Sequence, residues 1–183
     1  MTDKTRAVRG FRRPGLRRAG AITLELIIML PVWLIMLGAI VQFGLLIGNR
    51  QQVALASRVG AEEASRTNLP TGGGVPLNVV HVVEQQLQSS GIDQCKITLE
   101  HNVVPPTPPP PAVPVVLSSG DCGCPTTTPT TPLPPRGEYV RVTVYVPATQ
   151  LAPNVLKIFG LDLSEWLVPN STTFRHELTP GVL

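Results

Sequence analysis

The chain has 183 residues, 43% of them apolar and only 15% charged, which is enough apolar material to build a folded core, and its formal net charge is +3. That charge is sharply divided: residues 1–20 hold seven of the fifteen Lys and Arg against one acid, Asp3, whereas the remainder holds eight cations and eleven acids. The basic excess therefore belongs to one end, which excludes a nucleic-acid-binding surface, whose cations would spread over a folded face.

Residues 1–20 read as a disordered cationic leader in which Pro14 and Gly15 oppose helix. A helix is predicted to start near Ala21, and between Glu25 and Arg50 it carries no charge. Residues 26–48 give 23 positions, roughly 35 Å of helix, against a hydrocarbon core of about 30 Å. The run exceeds the roughly 7–15 residues of a secretory h-region, so residues 21–48 are predicted to be a retained transmembrane helix. The cationic flank keeps the N-terminus cytoplasmic and sends the C-terminal part across the membrane.

Glu25 is the informative residue of this segment. A carboxylate entering a bilayer helix is costly unless paired. A basic leader, Gly20, four residues, Glu25 and an apolar helix make up a prepilin-type signal. Cleavage between Gly20 and Ala21 would create an α-amine suited to pair with Glu25 of a neighbouring subunit. The plainer alternative is an interfacial glutamate that snorkels outward. Pro31 is expected to kink the helix, and Gly44-x-x-x-Gly48 offers a flat face for helix packing.

After Asn49, small and apolar residues (Val53, Ala56, Val59, Gly60, Ala64) recur at helical spacing among Gln51, Gln52, Arg58, Glu62 and Arg66, so residues 49–67 are predicted to be an amphipathic continuation of the same helix. Asn68-Leu69-Pro70 and Gly72-Gly73-Gly74 end it. An ectodomain over 75–183 follows. A second helix is predicted over 77–90, with Leu77, Val80, Val83 and Leu87 on one face and Gly91 as its stop. Residues 96–103 alternate as a strand.

Residues 104–135 hold twelve of the twenty prolines and read as an exposed polyproline-like Pro/Thr-rich loop. Tyr139–Val146 is the best strand, with Val140, Val142, Val144 and Val146 on one side and Tyr139, Arg141, Thr143 and Tyr145 on the other. Short helices are expected within 156–167 and a last strand over 171–178. The fold class that results is membrane-anchored α+β: a long N-terminal helix, a second helix and two or three antiparallel strands, interrupted by the proline loop. Cys95, Cys122 and Cys124 allow one disulfide, from Cys95 to either of the others, with one thiol left over; a metal site would need a fourth ligand and a different spacing.

No phosphate-cradling GxxxxGK[ST], GxGxxG or GxSxG occurs. His81 and Glu84 sit three apart on a solvated face, and His101 and His176 show no partner in the sequence. Asn170-Ser171-Thr172 fits an N-glycosylation acceptor, a short pattern that occurs often by chance.

Gly20 with Glu25 and the apolar helix, Leu30-Pro31 inside it, Gln42-Phe43-Gly44 near its far end and the continuation Gln51–Ala61 resemble TadE-like proteins, pseudopilin-type components of bacterial tight-adherence pilus systems. The resemblance covers 17–66, with a faint echo in Thr173–Glu177. The chain departs from the family at Leu26, where most members carry an aromatic residue, and in its proline insert. Ala21 in place of the Phe that follows the cleaved Gly in general type IV pilins favours the Tad branch.

The resemblance implies a precursor cut by a prepilin peptidase after Gly20 and held in the bacterial inner membrane by a single pass. Its partners would be other pilus or pseudopilin subunits and the assembly platform. No cofactor, metal, nucleic acid or small-molecule substrate is implied. Two alternatives compete: an uncleaved single-pass anchor carrying an envelope-binding module, and an anchored redox enzyme using Cys122-Gly123-Cys124.

Overall fold

The computed structural model describes residues 17–68, 73–102, 114–123, 133 and 138–176. Contacts divide the chain into two units, Met1–Leu37 and Gly38–Leu183. The element order is α1 (Arg17–Arg66), α2 (Leu77–Gln88), β1 (Lys96–Asn102), β2 (Val115–Gly120), β3 (Tyr139–Pro147), the short α3 (Ala148–Leu151), a 3₁₀ turn (Val155–Phe159) and β4 (Leu167–Arg175). This is the α+β class expected, with four antiparallel strands in the order β2-β1-β3-β4.

In the first unit, α1 begins at Arg17, four residues before the expected start at Ala21. Arg17, Arg18 and Ala19 are all good helix formers, so the helix includes them. From Thr23 to Leu37 every residue is exposed. Hydropathy and length make α1 the one helix among the described residues long enough and apolar enough to cross a membrane.

In the second unit, one stripe of α1 is buried. Val53, Ala56, Ala61 and Ala64 are fully covered, and Gly60 lies between them. A Cβ on Gly60 would stand 2.6 Å from Val83 Cγ2 and 3.4 Å from Val142 Cγ1. Small side chains therefore let α1 approach both α2 and the sheet, as close packing of interior groups demands. From the far side of the core, Val79, Val83 and Leu87 of α2 close against the same cluster, with Ile97, Leu99, Val140, Val142, Val144 and Val146 of the sheet.

The face of α2 differs from the one expected. Leu77 is 85% exposed and Val79 is fully buried, because the stripe that meets the sheet runs 79-83-87 and leaves Leu77 at the open first turn. The end of α2 follows from Gly91, whose φ of +67° lets Gly91 N–H reach the Gln88 carbonyl at 3.0 Å and Ile92 N–H reach the Leu87 carbonyl at 3.1 Å. This is the Schellman arrangement, with Ile92 buried beside the helix end.

Two strand expectations are also corrected. Residues 115–120 fall inside the stretch expected to be an unbroken proline loop, yet they form β2. Val115–Gly120 contains no proline and pairs on one side only, with β1, so an edge position asks nothing of the flanking prolines. The last strand starts at Leu167, four residues ahead of the expected Ser171, and includes Pro169. β4 is the other edge, where a missing N–H is tolerated.

The second face of the sheet is polar and still largely buried. Glu100, Arg141 and Thr173 are cross-strand neighbours. Arg141 donates through Nη1 to Glu100 Oε2 at 3.1 Å and through Nε to Thr173 Oγ1 at 3.1 Å. A one-residue slip of any of the three strands would point one partner to the opposite face, so the row locks the register. On the same face Tyr145 is raised above its ordinary value, chiefly by burial and then by the nearby Glu100 carboxylate, with a hydrogen bond to Thr98 acting the other way.

Two measurements follow. Gly60→Val should lower the unfolding free energy by about 1–3 kcal/mol through overpacking, read by chemical denaturation of the detergent-solubilised protein. Tyr145 holds its proton more tightly folded than unfolded, so its contribution to stability is whole below its ordinary pKa of 10.0 and is lost as pH rises through the higher folded value. Melting temperature should therefore fall on titration above that ordinary value, and Tyr145→Phe should blunt the fall.

Candidate assembly and processing site

The apolar half of α1 carries the sequence-predicted assembly residues. Gly20 and Ala21 lie within the helix rather than before it. Glu25 is exposed one turn further on, between Leu24 and Leu26 and close to Ile28 and Met29, which are 51–65% exposed. Among the described residues no cation pairs with Glu25, so within one chain its carboxylate faces outward from an apolar helix surface. Pro31 sits inside α1, where it supplies no N–H to the carbonyl of Ile27.

Gly44 and Gly48 have nothing within 4 Å of the position a Cβ would take. Their side of α1 is open, in contrast to the crowded Gly60. Residues 43–47 on the open side include Phe43, Leu45 and Ile47, all 44% exposed or more.

Around the rest of α1 the C-terminal α+β part of the chain is fastened by polar contacts that hydrophobic spacing does not reveal. Gln42, polar within an apolar run, is 1% exposed, and its Oε1 accepts the Leu156 backbone N–H at 3.0 Å. Asn49 Nδ2 donates to the Leu151 carbonyl at 2.6 Å. Ser57 Oγ lies 2.8 Å from Thr172 Oγ1 and 3.4 Å from Asn170 Oδ1. The signal for these was present in the sequence only as polar residues on one helical side, at 42, 49 and 57; their partners lie more than 100 residues away.

The loop after α3 is internally tied. Asp162 Oδ1 accepts from Ser164 N–H at 2.9 Å, Ser164 Oγ at 2.7 Å and Asn154 Nδ2 at 2.7 Å. Lys157 Nζ stands 3.2 Å from Asp162 Oδ2. The Ser164 hydroxyl, then its backbone N–H, then Asn154 hold the Asp162 carboxyl far below the usual carboxylate range. These bonds favour the charged carboxylate, so whatever stability they lend is lost only as pH falls through the lowered value.

Cys95 and Cys122 are joined by a disulfide across 27 positions of sequence. It ties the entry of β1 to the exit of β2. Gly120 makes the return possible: its φ is +82°, and a Cβ there would collide with the Cys95 carbonyl oxygen. Cys124 lies outside the described residues. The bridge takes two of the three thiols, and among the described residues no group of His, Cys, Asp and Glu gathers to hold a metal. His81 is exposed, and Glu84 accepts from Gln94 at 3.1 Å. His176, without a partner in the sequence reading, sits with Nε2 3.2 Å from the Thr67 carbonyl and Nδ1 3.8 Å from Glu138, which brings the end of the sheet to the end of α1.

A family model described as TadE-like protein matches residues 20–62, about a quarter of the chain and all of it within α1. The similarity thus includes Gly20, Glu25, Pro31 and the two open glycines and stops before α2 and the sheet. No curated protein and no solved structure matches the chain. The apolar helix supports a membrane-anchored protein, and the family match is confined to that helix.

Closure of the loop between Cys95 and Cys122 restricts the unfolded chain, so Cys95→Ser should cost about 2–4 kcal/mol. Reductant should lower the stability of the unaltered protein by a similar amount and leave the variant unchanged, as read by paired denaturation curves.

Proposed function

We propose that the chain is a pseudopilin-type subunit of a tight-adherence pilus system, processed between Gly20 and Ala21 and taking part in pilus assembly through its N-terminal helix. The observation that carries this reading is Glu25: the TadE-like match begins at Gly20, five residues before a carboxylate that is exposed on an otherwise apolar helix. An acid in that position is stable in a bilayer only with a partner. The Ala21 amine released by a prepilin peptidase on a neighbouring subunit meets that need, and the pairing rewards correct axial register. Gly44 and Gly48, open on the side away from the ectodomain, would let a second helix approach closely.

Gly20 also suits the cleavage. A peptidase needs an extended backbone at the scissile bond, and α1 passes through it as helix. Glycine inside a helix costs roughly 0.5–1 kcal/mol relative to alanine, so local unwinding at residue 20 is cheaper than it would be with alanine or leucine in that place. The seven leader cations support an inner-membrane protein with its N-terminus cytoplasmic, since a cationic flank stays on the cytoplasmic side. The same helical path through Gly20 and Ala21 favours a second reading, an uncleaved anchor whose ectodomain binds an envelope partner.

Intact mass of the protein from native membranes separates the two. A chain beginning at Ala21 is expected, with Gly20→Leu blocking the cut. Glu25→Ala should still be processed but should lose co-purification with other pilus subunits. A full-length mass in cells that carry the peptidase moves the anchored binding module to the front.

A further inference from the structure

The loop that descends beside α1 ends in exposed apolar side chains. Asn49 holds the Leu151 carbonyl and Gln42 holds the Leu156 N–H, so the chain from 151 to 156 runs about 10 Å along the helix toward its apolar end, at about 1.5 Å per residue. Val155 Cγ1 then lies 3.8 Å from where a Cβ of Gly38 would be. Leu156 and Leu163 are buried and anchor the loop, and the Asp162 hydrogen bonds close it. What remains outside is Ile158 at 87%, Phe159 at 59% and Trp166 at 58% exposure, with Leu161.

These residues do not suit bulk water, where a contiguous exposed apolar patch marks an interaction site. Nor do they suit the deep hydrocarbon. If the whole run 26–48 were immersed, Val155 would stand beside Gly38, about 18 Å on the lipid side of Arg50. Lys157, Asp162 and the loop's backbone groups would be immersed with it, which non-helical backbone and charges do not tolerate where lipid is the neighbour. A position at the headgroup–acyl boundary satisfies both: apolar tips and Trp166 point inward, and Lys157 and Asp162 stay among the headgroups.

We infer that the 155–166 loop is a lipid-docking surface that dips into the outer leaflet and fixes the hydrocarbon boundary near Gly38–Gln42 instead of at Asn49. The occupant is lipid because the loop that carries these side chains meets α1 at Gly38 and Gln42, beside the exposed apolar Val41 and Leu45. With a core of about 30 Å, the span then reaches back about twenty residues, to near Ile22, and Glu25 lies just inside the inner boundary. The inference rests on the membrane-anchored reading of α1.

The test uses the full chain in phosphatidylcholine vesicles doped with nitroxide lipids. Trp33 and Trp166 are the two tryptophans, so Trp33→Phe leaves Trp166 as sole reporter and Trp166→Phe leaves Trp33. Trp166 is expected to lose at least about half its emission to a headgroup-proximal nitroxide, and less to one at the chain end, as an interfacial aromatic should. Trp33 is expected to show the opposite order. The inference is overturned if Trp166 ignores both nitroxides while Trp33 responds. Sensitivity to aqueous iodide would then mean a loop standing in water, and insensitivity would mean a second copy covering it. It is overturned equally if the chain-end nitroxide quenches Trp166 more strongly. If Trp33 ignores both nitroxides, the membrane span itself fails.

Discussion

Close approach between α1 and the layer formed by α2 and the sheet is the constraint on which the rest depends. Gly60, Ala56, Ala61 and Ala64 make a stripe with almost no side chain, and Val83 and Val142 fill the space this leaves. Larger residues there would lift the sheet away from the helix. The polar ties at Gln42, Asn49 and Ser57 reach their partners only because that distance is short. A sheet and helix this small have little core of their own, and they obtain the missing wall from the C-terminal half of α1.

That arrangement lets one helix serve two solvents. Its exposed apolar half carries Glu25 and Pro31 as its exceptions, and each has a consequence in lipid that it would not have in water: an unpaired charge and an unsatisfied carbonyl both look for partners outside the chain. Its other half is a structural element of a soluble-type fold, buried on one stripe and charged on the other. The loop at 155–166 meets the helix where these regimes change, and its mixed character, buried Leu156 and Leu163 with exposed Ile158 and Trp166, suits a boundary.

On the far side of the sheet, order comes from charge and covalent bonding more than from apolar contact. The Arg141–Glu100 pair sits on the two central strands with Thr173 on the edge strand β4. Removal of one partner would strand a buried charge, which is costlier than the pair itself is stabilising. The Cys95–Cys122 bridge adds the other edge by fastening β2 to β1.

The sequence by itself determined the long apolar helix, its amphipathic continuation, the second helix and the two central strands, because each repeats at 3.6 or 2 residues over a sufficient length. It also exposed Glu25, since a lone charge in an apolar run is visible without coordinates. The start of α1 at Arg17 and the proline-bearing β4 were legible only in part, because propensity near breakers and at sheet edges is weak. Tertiary structure alone decided that Val79 and not Leu77 faces the core, that six residues of the proline-rich stretch pair as β2, that Cys95 pairs with Cys122, and that Gln42 and Asn49 grip a loop over 100 residues away. Those outcomes depend on which surfaces meet, and periodicity along one segment carries no information about its partner.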